Sequence, residues 1–248
     1  MSVLLALRYV LTVRVRPSSP MMRASVQEAR SLCESASVTL FTVFFLIQPF
    51  VAQAYYIPSA SMENSLPIGT RILASPLAAR VAPITAGEAV VFTPPDSALA
   101  LSTGSGSAEG DVWIKRCVGT PGHVVEIKKN VLWRDGGVVA EPYAIWSSPG
   151  LAPITYDMKI VGNAVYSREY DAFGRAGQWT QANVFVSSQS AITSAAPGQV
   201  PPGKLLVLGD HRNDSLDGHV WGFLNQSAVV GRAFVSFWPP RQIGTIGR

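Results

Sequence analysis

Two serines separated by one residue, Ser59 and Ser61, lie in YYIPSASMENSLPIGTRI (Tyr55 to Ile72), just past an apolar run. Such a stretch is either a plain linker or the carrier of a nucleophile, and a serine hydroxyl attacks only when a base takes its proton. Three histidines are available, His123, His211 and His219, with Asp210, Asp214 and Asp217 near the last two. The G-x-S-x-G elbow of many Ser-His-Asp hydrolases is missing, however. The other candidate base is Lys115. In DVWIKRCVG (Asp111 to Gly119), strand alternation puts Trp113, Lys115 and Cys117 on one face and Ile114, Arg116 and Val118 on the other. A lysine held between Trp and Cys loses the solvation that its ammonium needs, and its neutral amine can then accept a serine proton. The competing reading is an edge-strand lysine reaching solvent, and the pattern alone favours it. A third stretch, GDHRNDSLDGHVWG (Gly209 to Gly222), follows the apolar KLLVL and gathers acids, an arginine, a serine and a tryptophan into one turn-rich segment. That composition suits a loop supporting a site.

These stretches need a framework. The chain has 248 residues and a net charge of +4, and 48% of it is apolar, enough for one sizeable core plus an appendage. Five arginines (Arg8, Arg14, Arg16, Arg23, Arg30) precede residue 35 against Glu28 and Glu34, so most of the excess charge lies there. A nucleic-acid face would need its basic patch on the folded domain, so nucleic acid is not an expected partner. The 19 residues Ala36 to Ala54 carry no charge and approach the length that spans hydrocarbon. AQA at 52–54 looks like a cleavage site, but the run is long for a signal peptide and starts late, which favours a retained anchor. Arginines before it predict a cytoplasmic N-terminus, with everything after Ala54 on the outer face. Cys33 and Cys117 then lie on opposite sides of the membrane and cannot pair. The segment VLLALRYVLTV (Val3 to Val13) is interrupted by Arg8 and too short to span.

After Ala54 the pattern is strand-like. TRILAS, GEAVVFTP, DVWIKRCVG, HVVEIKKNVLWRDG, KLLVLGD and VVGRAFVSFW all read as β, broken by Pro121–Gly122 and by a hairpin signal at Asp135–Gly136. The expected fold is mostly β, an antiparallel catalytic domain preceded by one transmembrane helix. The expected organisation is a cytoplasmic segment 1–35, an anchor 36–54, a β core 55–140 and 203–248, and an inserted smaller subdomain 141–202. LSTGSGSAEG (Leu101 to Gly110) reads as a flexible excursion.

Together, IPSASM (Ile57 to Met62), IKRCVGTPG (Ile114 to Gly122) and GDHRNDSLDGHVWG, in this order after an apolar segment, resemble the bacterial type I signal peptidases (leader peptidases). The resemblance covers about Tyr55–Leu73, Asp111–Trp133 and Lys204–Trp238. It implies an antiparallel β domain of that type and a serine endopeptidase removing signal peptides from exported preproteins after small-x-small sites. Ser61 would be the nucleophile and Lys115 its general base, through an acyl-enzyme. Ser59 would assist the oxyanion, and Ser215 would orient the lysine amine. Ile57, Met62, Leu66 and Ile114 match pocket positions, while Arg116, Gly209, Asp210, Arg212 and Asp217 would brace the dyad, Asp210 by pairing with Arg116. The resemblance implies no metal and no cofactor; the partners it implies are preprotein signal peptides at the membrane surface and the lipid bilayer.

The sequence departs from the family pattern in four places. Glu63-Asn64-Ser65 follows the methionine, His123 follows Pro121–Gly122, and His211 follows Asp210. Gly218–His219 replaces the usual Ser-Arg after Asp217, where a histidine is expected to substitute for arginine only when protonated. A catalytically impaired membrane-tethered β domain, acting as a binding or scaffold module, is the alternative. A self-cleaving repressor-type Ser–Lys protease would leave the apolar run unexplained.

Overall fold

The structure, a computed structural model, describes residues 9, 19–102, 112–146, 154–183 and 195–247. Nearly all of the excursion at 101–110 and of the segment 3–13 lies outside the described residues. The chain divides into two compact units, residues 1–53 and 54–248.

The described residues of the first unit are mostly helical. Helix α1 (Pro20–Phe41) starts where Ser19 caps it, its side chain accepting from the Met22 N–H, with Pro20 at the first position, where a missing N–H costs nothing. It continues into a π-helical segment, Thr42–Ile47, and then α2 (Gln48–Val51). Arg23, Glu28, Arg30 and Glu34 all fall within α1. Among the described residues, no helix is long and apolar enough to cross a membrane. The uncharged run expected over 36–54 is shared among three helical segments, and its last two residues already belong to β1 (Gln53–Tyr56).

The second unit holds two sheets. The larger is built from β1, β2 (Arg71–Ser75), β3 (Ala89–Phe92), β4 (Trp113–Gly119), β11 (Lys204–Leu208), β12 (Leu224–Asn225), β13 (Val229–Trp238) and β14 (Gly244–Thr245). Its order is β1-β2-β13-β3-β4-β11-β12, with β14 on β13. The smaller sheet has the order β10-β9-β8-β5-β6-β7, from β5 (Val125–Lys128), β6 (Val131–Arg134), β7 (Gly137–Val138), β8 (Tyr156–Val161), β9 (Ala164–Glu169) and β10 (Thr180–Gln181). Pairings from β2 to β12 and throughout the smaller sheet are antiparallel, in line with the strand-like patterning.

Turn chemistry sets the strand lengths. Asp135 and Gly136, at φ 53° and 80°, turn β6 into β7, as the Asp-Gly pair predicts. Lys129 and Asn130 also have positive φ, so HVVEIKKNVLWRDG is a hairpin of two strands rather than one run. The smaller sheet does not begin at residue 141: β8 pairs with β5, and β5–β7 precede the composition shift. Met158 and Ile160 of β8 pack with Val118, Leu206 and Leu208 of the larger sheet in one core, so the two sheets share their apolar faces. β3 is buried on both faces, with Val90 and Phe92 in one cluster and Ala89 and Val91 in another. An apolar run of that kind marks a central strand.

Candidate active site

β4 lies between β3 and β11, with Lys115 opposite Val90 and Arg116 opposite both Ala89 and Leu208. Lys115 is therefore on an interior strand, and the reading of it as an edge lysine reaching solvent is set aside. Its side chain is buried and its Nζ lies 2.5 Å from Ser61 Oγ. Burial pushes the amine down to about 8, against the opposing pull of Asp217, Asp210 and Asp214, in that order.

Ser61 reaches this amine because its segment is tied at both ends. The Ile57 N–H donates to the Thr70 carbonyl, the Gly69 N–H donates to the Ile57 carbonyl, and Ala60–Met62 makes a 3-10 turn. Ile57, Met62 and Leu66 anchor the loop in the core beside Ile72 and Val91. Ser59 Oγ lies 3.3 Å from Ser61 Oγ. The Asn64 side chain holds the loop from outside through the Tyr143 carbonyl at 3.1 Å, and Asn64 sits at φ 81°, which asparagine tolerates better than most residues.

The loop after β11 closes the site from the other side. The His211 N–H donates to the Ser61 carbonyl at 3.1 Å. Gly209 passes so close that an added Cβ would stand 2.5 Å from the Ser61 carbonyl oxygen and overlap the Ser215 side chain. Gly209→Ala is expected to lower stability by about 1–3 kcal/mol through overpacking, read as a lower denaturant midpoint at constant m-value. Asp217 Oδ2 accepts from the Gly209 N–H at 2.7 Å, and its Oδ1 lies 2.7 Å from His219 Nδ1. Burial raises the Asp217 carboxyl, but His219, Lys115 and the Gly209 N–H together outweigh it and hold the group below its usual range.

Two expectations change here. The hydrogen bond from Ser215 to the Lys115 amine is not formed: Ser215 Oγ is buried and has no hydrogen-bond partner among the described residues. His219 does not need a positive charge to take the arginine's place beside Asp217. A neutral ring protonated on Nδ1 donates across the same 2.7 Å.

Arg116 and Arg212 brace the loop. Arg116 spends all five N–H donors: Nε and one terminal nitrogen on the two oxygens of Asp210 (2.7 and 2.6 Å), others on the Gly87 and Gly247 carbonyls and on Ser65 Oγ. Tyr143 covers its guanidinium, 3.8 Å from the ring centroid. Arg212 donates to the Gly209 carbonyl and pairs with both oxygens of Glu141. Sequence reasoning did not single out Glu141 or Tyr143. Neither carries a local signal, because each acts only when residues 141–146 run beside His211 and Arg212.

A cavity of about 670 Å³ opens onto Ser61 and Lys115. Ile57 and Ile114 line it, as expected of pocket positions, but Met62 and Leu66 do not: both are buried in the core behind it. Val91, Trp113 and Leu216 supply further apolar wall, and Asp214 is the one acid in the lining. The alternation that marked Trp113 as core-facing could have found it. Val91 could have been found from the apolar run of β3.

A buried serine–lysine pair beside an apolar cavity is an arrangement for acyl transfer, and comparison with known proteins agrees in class. The family described as "Signal peptidase, peptidase S26" matches residues 29–238. "Probable signal peptidase I-2" of Synechocystis sp. is 32% identical over 209 residues, 84% of this chain and 73% of that protein. "Signal peptidase I" of Leptolyngbya laminosa is 30% identical over 81% of this chain and 76% of its own length. "Signal peptidase IB" of Staphylococcus aureus is 25% identical over 80% of this chain and 84% of its own length. The chain belongs to the type I signal peptidases of peptidase family S26, serine endopeptidases that cleave signal peptides.

Proposed function

We propose that the protein removes signal peptides from exported preproteins with Ser61 as nucleophile and Lys115 as general base. The observation that carries this reading is the 2.5 Å approach of Lys115 Nζ to Ser61 Oγ on a buried strand. In the neutral form, the amine accepts the Ser61 proton while Oγ attacks the scissile carbonyl carbon. The oxyanion is met by the Ser61 N–H with help from the Ser59 hydroxyl. The Lys115 ammonium returns its proton to the leaving nitrogen as the C–N bond breaks, leaving an acyl-enzyme. Lys115 then takes a proton from water, whose oxygen attacks the ester. The apolar wall at Ile57, Ile114, Val91 and Leu216 supports a preference for small apolar side chains beside the cleaved bond.

Cleavage of a purified preprotein, with Ser61→Ala and Lys115→Ala alongside, tests the reading. Full activity in either variant would end it, and no cleavage by the wild-type protein would favour an impaired binding domain. The pH profile is a second check. kcat/KM rises as Lys115 loses its proton, so its rising limb is expected near pH 8 rather than near the ordinary lysine value of about 10.4. Asp214 raises Lys115, so Asp214→Asn moves that limb to lower pH. A limb that follows only a group near the ordinary histidine value of about 6.5 would assign the base elsewhere.

The uncharged run 36–54 and the arginines before it support a single membrane anchor with a cytoplasmic N-terminus and the catalytic unit on the outer face. Anchoring would confine enzyme and preprotein to one plane and raise their effective concentration. Protease protection of membrane vesicles reads this directly: Arg30 accessible outside and Trp238 shielded inside would reverse it.

A further inference from the structure

Two hydrogen bonds through Asp217 link the imidazole of His219 to the backbone of Gly209, which packs against the nucleophile's own backbone. Its Nδ1 lies 2.7 Å from Oδ1 of the fully buried Asp217, which also accepts the His219 backbone N–H at 3.1 Å, and Oδ2 accepts the Gly209 N–H at 2.7 Å. Gly209 in turn lies against the Ser61 carbonyl oxygen and Ser215 with no space for a single added carbon. Asp217 is also the acid that acts most strongly on Lys115. One carboxylate therefore touches the geometry of Ser61 and the charge beside Lys115, and His219 is the side chain that orients that carboxylate.

The ring itself is held. It stacks on Tyr156 of β8 at 5.2 Å and 20°, and the Ser167 hydroxyl of β9 reaches the His219 carbonyl at 3.5 Å. The titratable and charged groups around it are Asp217 on its own segment, Tyr156 facing its ring, and the Arg212–Glu141 pair that acts on Tyr156.

We propose that His219 is a positioning residue for the Ser61–Lys115 pair, holding Asp217 so that its two oxygens are divided between the imidazole and the Gly209 amide. This rests on the dyad reading above. Without the imidazole, Asp217 Oδ1 keeps only the His219 backbone N–H at 3.1 Å, and its charge, no longer shared with the ring N–H, acts more fully on Lys115. A guanidinium in its place would keep Asp217 paired with a permanent positive charge.

The test uses the full-length protein in detergent micelles and an internally quenched peptide bearing an Ala-X-Ala cleavage site. For His219→Ala, kcat is expected to fall about tenfold, the scale of one hydrogen bond to a charged group. KM should change by less than about twofold, and the rising limb should move to higher pH. His219→Arg is expected to recover most of kcat and move the limb below the wild-type position. Amide hydrogen exchange at Gly209, which does not depend on turnover, should quicken in the alanine variant and stay slow in the arginine variant.

Wild-type kcat, limb and Gly209 protection in His219→Ala would overturn the inference. So would a limb in His219→Arg that stays put or rises, and that variant decides alone if the alanine protein does not fold. Ser61→Ala and Lys115→Ala run beside them separate the two claims. If these remain active, the dyad reading fails; if they are dead while the His219 variants behave as wild type, only the positioning role fails.

Discussion

Lys115→Met is expected to cut kcat/KM for preprotein cleavage by at least about 10³-fold while making the folded protein more stable at pH 7. The two effects have one origin. Lys115 is buried on an interior strand, and burial brings its amine from 10.5 down to about 8. At pH 7 the folded state therefore holds an ammonium that the unfolded chain holds far more easily, at a cost of about 3 kcal/mol. Methionine has similar volume and no charge, so part of that cost is recovered, while the proton acceptor proposed for Ser61 is lost. The sign follows from the lowered pKa. Between about pH 8 and 10.5 the unfolded state binds more protons than the folded one, so wild-type stability rises with pH there. The advantage of the methionine variant should be full below pH 8 and fade as pH approaches 10.5. Denaturation midpoints at pH 7 and pH 10, with turnover at pH 8, check both halves. A methionine variant less stable than wild type at pH 7 would mean that the amine is not desolvated.

Arg116→Ala is expected to destabilise the catalytic unit by about 3–5 kcal/mol, because it strands a buried carboxylate. Asp210 is fully buried, and Arg116 supplies the two hydrogen bonds that compensate its charge. The same guanidinium also satisfies the Gly87 and Gly247 carbonyls and Ser65. For a unit of this size, the loss corresponds to a Tm lower by about 6–20 °C. Arg116→Lys should recover little, since an ammonium has no planar fork to match both oxygens. Arg116→Met combined with Asp210→Leu should be better tolerated than either alone, since the uncompensated charge goes with its partner. Thermal melts of the wild type and of these five variants are sufficient. If Arg116→Ala costs under about 1 kcal/mol, the pair behaves as an exposed one and the burial argument is wrong.

The three motif segments are legible in the amino-acid order because their information is local. Asp135–Gly136 has its turn written in two residues, and the apolar run of β3 announces a strand buried on both faces. IPSASM, IKRCVGTPG and GDHRNDSLDGHVWG carry the resemblance by residue type and order alone. Alternation along β4 separates Lys115 from Arg116, since neighbouring side chains on a strand point to opposite faces. A period of two says only that the faces differ. It does not say which face is buried or whether the strand lies at an edge.

That second choice belongs to chain far away in sequence. Lys115 is a buried amine rather than a solvent-reaching one because β3 and β11 flank β4 on both sides. Met62 and Leu66 enter the core because their loop is pinned by Thr70 and His211, and Trp113 and Leu216 join the cavity wall from β4 and from the loop after β11. The Ser215 hydroxyl is left without a hydrogen-bond partner among the described residues, and His219 takes up Asp217, by the course of one turn over Gly209. The amino-acid order alone determined the β class and the family resemblance, and with them the residues proposed for the chemistry, because those depend on side-chain type and short-range periodicity. Which of them are desolvated, paired or left outside the pocket depended on long-range packing. Burial and charge compensation are properties of neighbours in space, and no local pattern specifies them.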